Sequence, residues 1–174
     1  MSKVLVLVSS VRKVRAADGI LNSLTARLDE KNINFEIADL RELQLPFVDT
    51  ELPPMSEDFK IPYDNVQKWS DQVKAADAVI MLTPEHNAGI SAPQKNAIDW
   101  LAHEWKEKKV GVIGYSWGGA PIARKHLTDV LAKLGSVELS PAASFSFMKD
   151  INLDGTAIDQ TAVDAAIDSV ISEL

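Results

Sequence analysis

The chain has 174 residues, 46% of them hydrophobic and 25% charged, which are the proportions of one globular domain rather than two. At this length about 70% of the unfolded chain's surface can be buried, and the absence of cysteine excludes disulfide scaffolds, zinc ribbons, thiolate nucleophiles and iron–sulfur ligation while fitting a reducing cytoplasm. A formal net charge of −7 is a poor basis for binding nucleic acid through its phosphates, and His86, His103 and His126 are too scattered for a metal cluster.

Val4 to Val8 is a continuous aliphatic run, the pattern of a strand covered on both faces in a parallel sheet. It is too short to be a secretory core or to cross a bilayer, so a cytoplasmic protein free of the membrane is expected. Ile20, Leu21, Leu24 and Leu28 recur at helical spacing and lead into a short strand at Phe35–Ala38, completing a βαβ unit. The connection from Arg41 to Pro62 carries Pro46, Pro53, Pro54 and Pro62 and is expected to be irregular, a cover or a contact surface. A second helix at Val66, Trp69, Val73 and Ala76 feeds the buried run Ala78–Leu82, a third strand ending at Thr83-Pro84.

Ser91 is placed to cap a third helix with Pro93 in its first turn, and Ala97, Ile98, Leu101, Ala102 and Trp105 extend its apolar face. A fourth strand is expected at Val110–Gly114, a fourth helix from Pro121 to Leu134 with Gly135 as a left-handed cap, and a fifth strand at Val137–Leu139. The last helix runs from Ile158 to Leu174, with Thr156 and Asp159 spaced like a capping box and its acids on the outer face. Asp150, Asp154, Asp159, Asp164, Asp168 and Glu173 have no Lys or Arg among them, so the body before them is nearly neutral. Against it Arg12, Lys13 and Arg15 form a positive spot beside the first strand. Five strands alternating with five helices make a doubly wound α/β domain.

Ligands in such sheets bind beyond the carboxyl ends of the strands. After the first strand, Ser9-Ser10-Val11-Arg12-Lys13-Val14-Arg15 precedes a helix N-terminus. Free amides, hydroxyls and guanidinium forks suit a phosphate there, although a solvated basic turn explains the composition equally well. The glycine fingerprints of dinucleotide and nucleoside triphosphate sites are absent.

After the third strand comes Thr83-Pro84-Glu85-His86-Asn87-Ala88-Gly89-Ile90-Ser91-Ala92-Pro93-Gln94-Lys95-Asn96-Ala97-Ile98-Asp99. This stretch resembles the Pro-Glu-Tyr-Asn-Gly-x-x-Pro-x-x-x-Lys-Asn-x-x-Asp signature of NADPH-dependent FMN reductases, a flavodoxin-like family that includes azo, quinone and chromate reductases. Pro84, Glu85, Asn87, Lys95, Asn96 and Asp99 match in register. Ser10 and Arg12 are similar to that family's phosphate loop, and Ser116-Trp117-Gly118-Gly119 to its Ser-Tyr-Gly-Gly segment; the likeness runs from about Lys3 to Leu139. The resemblance implies a flavodoxin-like three-layer α/β/α sandwich with a five-stranded parallel sheet in the order 2-1-3-4-5, residues 1–174 forming a single FMN-binding domain.

It further implies that the FMN phosphate lies on the amides of residues 10–17, Ala17 included, with Ser10, Arg12 and Arg15 donating. The isoalloxazine edge would meet the backbone of Pro84, Glu85, His86 and Asn87, near Gly89, and Ser116, Trp117 and Gly118 would flank the ring. NADPH or NADH would deliver hydride to the flavin, and a diffusible acceptor such as a quinone, azo compound or free flavin would collect it in a ping-pong cycle. The cofactor carries that chemistry, so no catalytic dyad is needed; His86 is a candidate modulator. A homodimer or homotetramer is implied; two functions stand as rivals to this reading, an electron carrier and a binding or regulatory domain that has lost FMN.

Four positions depart from the pattern. Ser9, His86, Ala88 and Ser91 stand where the family has glycine, tyrosine, glycine and proline, and a Cβ at Ser9 or Ala88 costs about 1–3 kcal/mol if a left-handed backbone is required. His126 is expected to pack and hydrogen-bond, His103 to be exposed or at a contact, and Glu85 to contribute through its backbone. Trp100 and Trp105 are either core or a subunit interface.

Overall fold

A computed structural model describes residues 3–174. Strand β1 (Lys3–Val8) lies between β2 (Asn34–Asp39) and β3 (Ala78–Pro84), with Val8 level with Asp39 on one side and Leu82 on the other. The continuous aliphatic run of β1 follows from this position, because alternate residues enter two different cores. Val4, Val6 and Val8 pack with helices α1 (Ala17–Glu30) and α6 (Gln160–Ile171). Leu5 and Leu7 pack with α3 (Asp64–Ala75) and with Ala97 and Ile98 of α4 (Ala92–Asp99). The result is a helix–sheet–helix sandwich.

Strand β4 (Lys109–Ser116) pairs in parallel with β3, and α5 (Pro121–Leu134) ends as expected at Gly135, which is left-handed at φ 74°. With β5 at Val137–Glu138, the order β2-β1-β3-β4-β5 agrees with the sequence reading, with one strand more than it foresaw. β5 (Val137–Glu138) pairs with Lys109 and Val110, and β6 (Ala143–Ser146) resumes beside Ile113–Ser116 of the same strand. Pro141 lies between them and has no N–H for the ladder, so one edge position is filled by two short pieces.

Other boundaries also differ. The long connection opens with a helical turn, α2 (Leu40–Leu43), because the Asp39 carboxylate accepts from the Arg41 amide at 2.9 Å. Helix α4 stops at Asp99 instead of reaching Trp105; a 3-10 turn at His103–Trp105 returns the apolar side chains to the same core. Trp100 and Trp105 are fully buried, and their indole N–H groups donate to the carbonyls of Pro46 and Ile98. Both belong to the core of this chain, which removes them as an interface. His103 is exposed, and so is His126, contrary to the packing role expected of it.

Asp159 alone caps α6, accepting from the Ala162 amide at 3.2 Å, while Thr156 is tied to Asp154 and Asn152. Nor are all the acids of α6 on its outer face, since Asp168 pairs with Arg27 of α1 at 2.6 Å. Among the described residues no helix is long and apolar enough to cross a membrane.

Candidate active site

The chain reverses direction across the sheet between β1 and β3, which opens a crevice beyond their carboxyl ends. The first wall is the loop from β1 to α1. Ser9 continues the strand, its amide donating to the Leu82 carbonyl, and its backbone is not left-handed, so the extra Cβ carries no strain. Ser10 is buried, whereas Arg12 is exposed and makes no ion pair among the described residues. Ala16 occupies the cap position of α1 and offers no side-chain acceptor, so the first-turn amides of α1, with that of Ala17 at their start, have no side-chain cap. Ala17 itself points its methyl into the core.

Arg15 does something other than its expected task. Its side chain is only 2% exposed, and its guanidinium holds both oxygens of Asp39, at 2.9 and 2.5 Å, together with Asp18 and the Ser10 carbonyl. All its nitrogens are engaged, so it braces the loop from behind and leaves phosphate contact to others. Both Asp18 and Asp39 are thereby engaged by Arg15. Burial alone would raise the Asp39 carboxyl, but the Arg15 fork and the Arg41 amide outweigh it and hold the group below its usual range.

The second wall follows β3. His86 and Gly89 exchange backbone hydrogen bonds of 2.9 and 3.1 Å around Asn87 and Ala88, whose φ values are 49° and 60°. Ala88 therefore does adopt the left-handed backbone, at a cost of about 1–2 kcal/mol relative to glycine. The Glu85 carboxylate turns away and accepts from the Ile122 and Ala123 amides at 2.8 and 2.9 Å, capping α5. Glu85 Oε2 is committed to that cap. Ser91 caps α4 through the Gln94 amide and donates to the Ser9 carbonyl at 3.0 Å, tying the first two walls together. His86 is half-buried; burial and the nearby Arg12 both lower its pKa, so its imidazole is neutral around pH 7.

The third wall follows β4. The Ser116 hydroxyl accepts from the Gly118 and Ala120 amides and shapes a turn that leaves Trp117 70% exposed, edge to face with Phe147 at 5.6 Å. The three walls enclose a cavity of about 310 Å³. Ser10, Arg12, Arg15, Pro84, Glu85, His86, Ser116 and Trp117 line it, whereas Ala17, Asn87, Gly89 and Gly118 stand just outside. Val14 and Ala16 fall within the 10–17 amide loop of the sequence reading, which missed Tyr115, Phe147 and Leu153. Tyr115 directly precedes the matched Ser116 and could have been found there, but Phe147 and Leu153 lie past the end of the resemblance and gave no signal.

The residues present fit FMN. Among the described residues the Tyr115 hydroxyl is buried without a partner, Arg12 makes no ion pair, the α1 amides have no side-chain cap, and the carboxylates of Asp18, Asp39 and Glu85 are each engaged elsewhere. Such a donor-rich end suits a phosphate ester, and Trp117, Phe147 and Pro84 add flat apolar surface suited to an aromatic ring.

The chain matches the model of the family described as NADPH-dependent FMN reductase over residues 2–150. It is 29% identical over 170 residues to an NAD(P)H-dependent FMN reductase of Schizosaccharomyces pombe, covering 95% of this chain and 80% of that protein. It is 30% identical over 143 residues to a 2-hydroxy-1,4-benzoquinone reductase of Burkholderia, covering 78% and 73% respectively. The solved flavoenzyme NAD(P)H:acceptor oxidoreductase FerB of Paracoccus denitrificans superposes with a TM-score of 0.71 at 28% identity over 99% of both chains. An archaeal flavodoxin, at 14% identity and a TM-score of 0.62, shares the fold. By sequence, fold and site, the chain belongs to the NADPH-dependent FMN reductase family, enzymes that use FMN with NAD(P)H as electron donor.

Proposed function

We propose that residues 1–174 act as one FMN-binding domain that passes hydride from NADPH or NADH to a quinone, azo compound, free flavin or similar diffusible acceptor in a ping-pong cycle. The carrying observation is that Ser10, Arg12 and the exposed Trp117 line one cavity. FMN, when bound, supplies the redox chemistry, taking a hydride from the nicotinamide and giving it up to the acceptor. The protein's share is to hold and orient. Ser10, Arg12 and the α1 amides would bind the phosphate, and the backbone of Pro84–Asn87 offers donors and acceptors to the ring edge. Arg15 keeps the loop in shape. The neutral His86 can relay a proton at a ring nitrogen without placing a second cation beside Arg12.

Relatives described as a 2-hydroxy-1,4-benzoquinone reductase and, in Arabidopsis thaliana, an NADPH:quinone oxidoreductase support a quinone as acceptor. Assembly as a homodimer or homotetramer in the cytoplasm is part of the same reading. Exposed Phe47, Leu52 and Met55 on the long connection support that assembly, in place of the buried tryptophans.

Initial-rate kinetics of the FMN-loaded protein with NADPH, then NADH, against benzoquinone test the proposal. Steady nicotinamide oxidation with parallel double-reciprocal lines is expected. Converging lines would overturn the ping-pong cycle, and oxidation that requires an added reductase would make the protein a carrier.

A further inference from the structure

Tyr115 is the last residue but one of β4 and sits on the α1 side of the sheet, with Val8, Leu82, Ile113, Ala16 and Ala17 in the same core. Its position is rigid. It stands level with Pro84 in the β3–β4 ladder, its carbonyl accepts from the Glu85 amide at 3.2 Å, and its ring meets Phe147 edge to face at 6.3 Å. The residue is 4% exposed and lines the cavity, and among the described residues its buried hydroxyl makes no hydrogen bond. The Ser10 side chain lies close enough to act on the phenol oxygen, and the charges that act on it are Arg12 and Arg15, opposed by Asp18.

A buried, unpaired hydroxyl is costly, and the cost recurs in every folded molecule unless a ligand satisfies it. We propose that the Tyr115 hydroxyl donates a hydrogen bond to the phosphate of FMN, making Tyr115 a further binding residue of the site. This rests on the functional reading above. Its place on the α1 face puts the hydroxyl with Ser10, Arg12 and the uncapped start of α1, the phosphate end of the cavity. Burial drives the phenol's pKa well above its ordinary value, so the proton stays on oxygen and the group remains a donor at working pH. Phenylalanine would keep the packing against Phe147 and remove only the donor.

The test is Tyr115→Phe, titrated with FMN and with riboflavin by fluorescence quenching, alongside thermal denaturation of the flavin-free protein. FMN affinity is expected to fall about tenfold, riboflavin affinity to stay as in wild type, and flavin-free Tm to hold or rise because an unsatisfied group has been deleted. Unchanged FMN affinity would overturn the proposal, as would an equal loss for riboflavin, which would move the contact off the phosphate. A lower flavin-free Tm would overturn it by making the hydroxyl structural. Wild-type protein that binds no FMN would overturn this proposal and the functional reading together, whereas FMN binding that Tyr115→Phe leaves intact would overturn this proposal alone.

Discussion

Replacing Asp39 by Asn isolates the brace behind the phosphate loop. The substitution removes the charge opposite a guanidinium that is 2% exposed, and it converts a two-point contact into at most one acceptor. Breaking one side of a buried ion pair usually costs about 3–5 kcal/mol. Asp39 is itself 14% exposed, and Arg15 keeps Asp18 and the Ser10 carbonyl, so the cost falls at or just below that range, about 2–3 kcal/mol. In a chain of this size that is a fall in Tm of about 5–10 °C. The effect has a pH signature. The folded-state pKa of Asp39 is depressed, so its contribution is complete above the unfolded value near pH 4 and is lost as pH falls through the lower folded value. Denaturant unfolding of both proteins should show a constant gap from neutrality to about pH 5 that closes below about pH 4. Equal stability at neutral pH, or a gap that persists in acid, would refute the brace.

Arg12→Ala should weaken FMN binding by about 1.5–3 kcal/mol through loss of a charge-assisted hydrogen bond; unchanged affinity in a flavin titration would move the phosphate elsewhere. The same variant should raise the His86 pKa, which an NMR titration would follow, because Arg12 is one of the two causes that lower it. Trp117→Ala should alter the flavin's visible spectrum and slow hydride transfer in stopped flow while leaving Tm near wild type, since the side chain is 70% exposed. A normal spectrum and rate would remove Trp117 from the ring. Glu85→Gln should lose about 1 kcal/mol in denaturant unfolding, as the N-terminus of α5 loses its charged cap, and no loss would show that those amides are satisfied otherwise.

The buried strands were legible because parallel pairing imposes an unbroken aliphatic run, and β1 and β3 carry one. Ser91 and Gly135 were legible because capping is decided within a few residues. The failures come from contacts over long sequence distances. Nothing local says that Asp39, 24 residues away, neutralises Arg15, so three cations looked equally free. Leu101 and Trp105 keep a helical spacing although α4 has ended and Trp105 arrives on a 3-10 turn, because burial records which face is covered and not how the backbone arrives. β6 is four residues of small and aromatic side chains after a proline, too short to read as a strand without β4 beside it. Phe147 and Leu153 reach the cavity only through that unforeseen edge of the sheet.

The most direct measurement is the visible spectrum of the protein after addition of FMN and desalting, followed anaerobically by NADPH and then by benzoquinone. Flavin bands should remain with the protein at near one FMN per chain, bleach with NADPH and return with the quinone. A colourless protein after desalting, or bound flavin that NADPH and NADH both leave oxidised, would contradict the account.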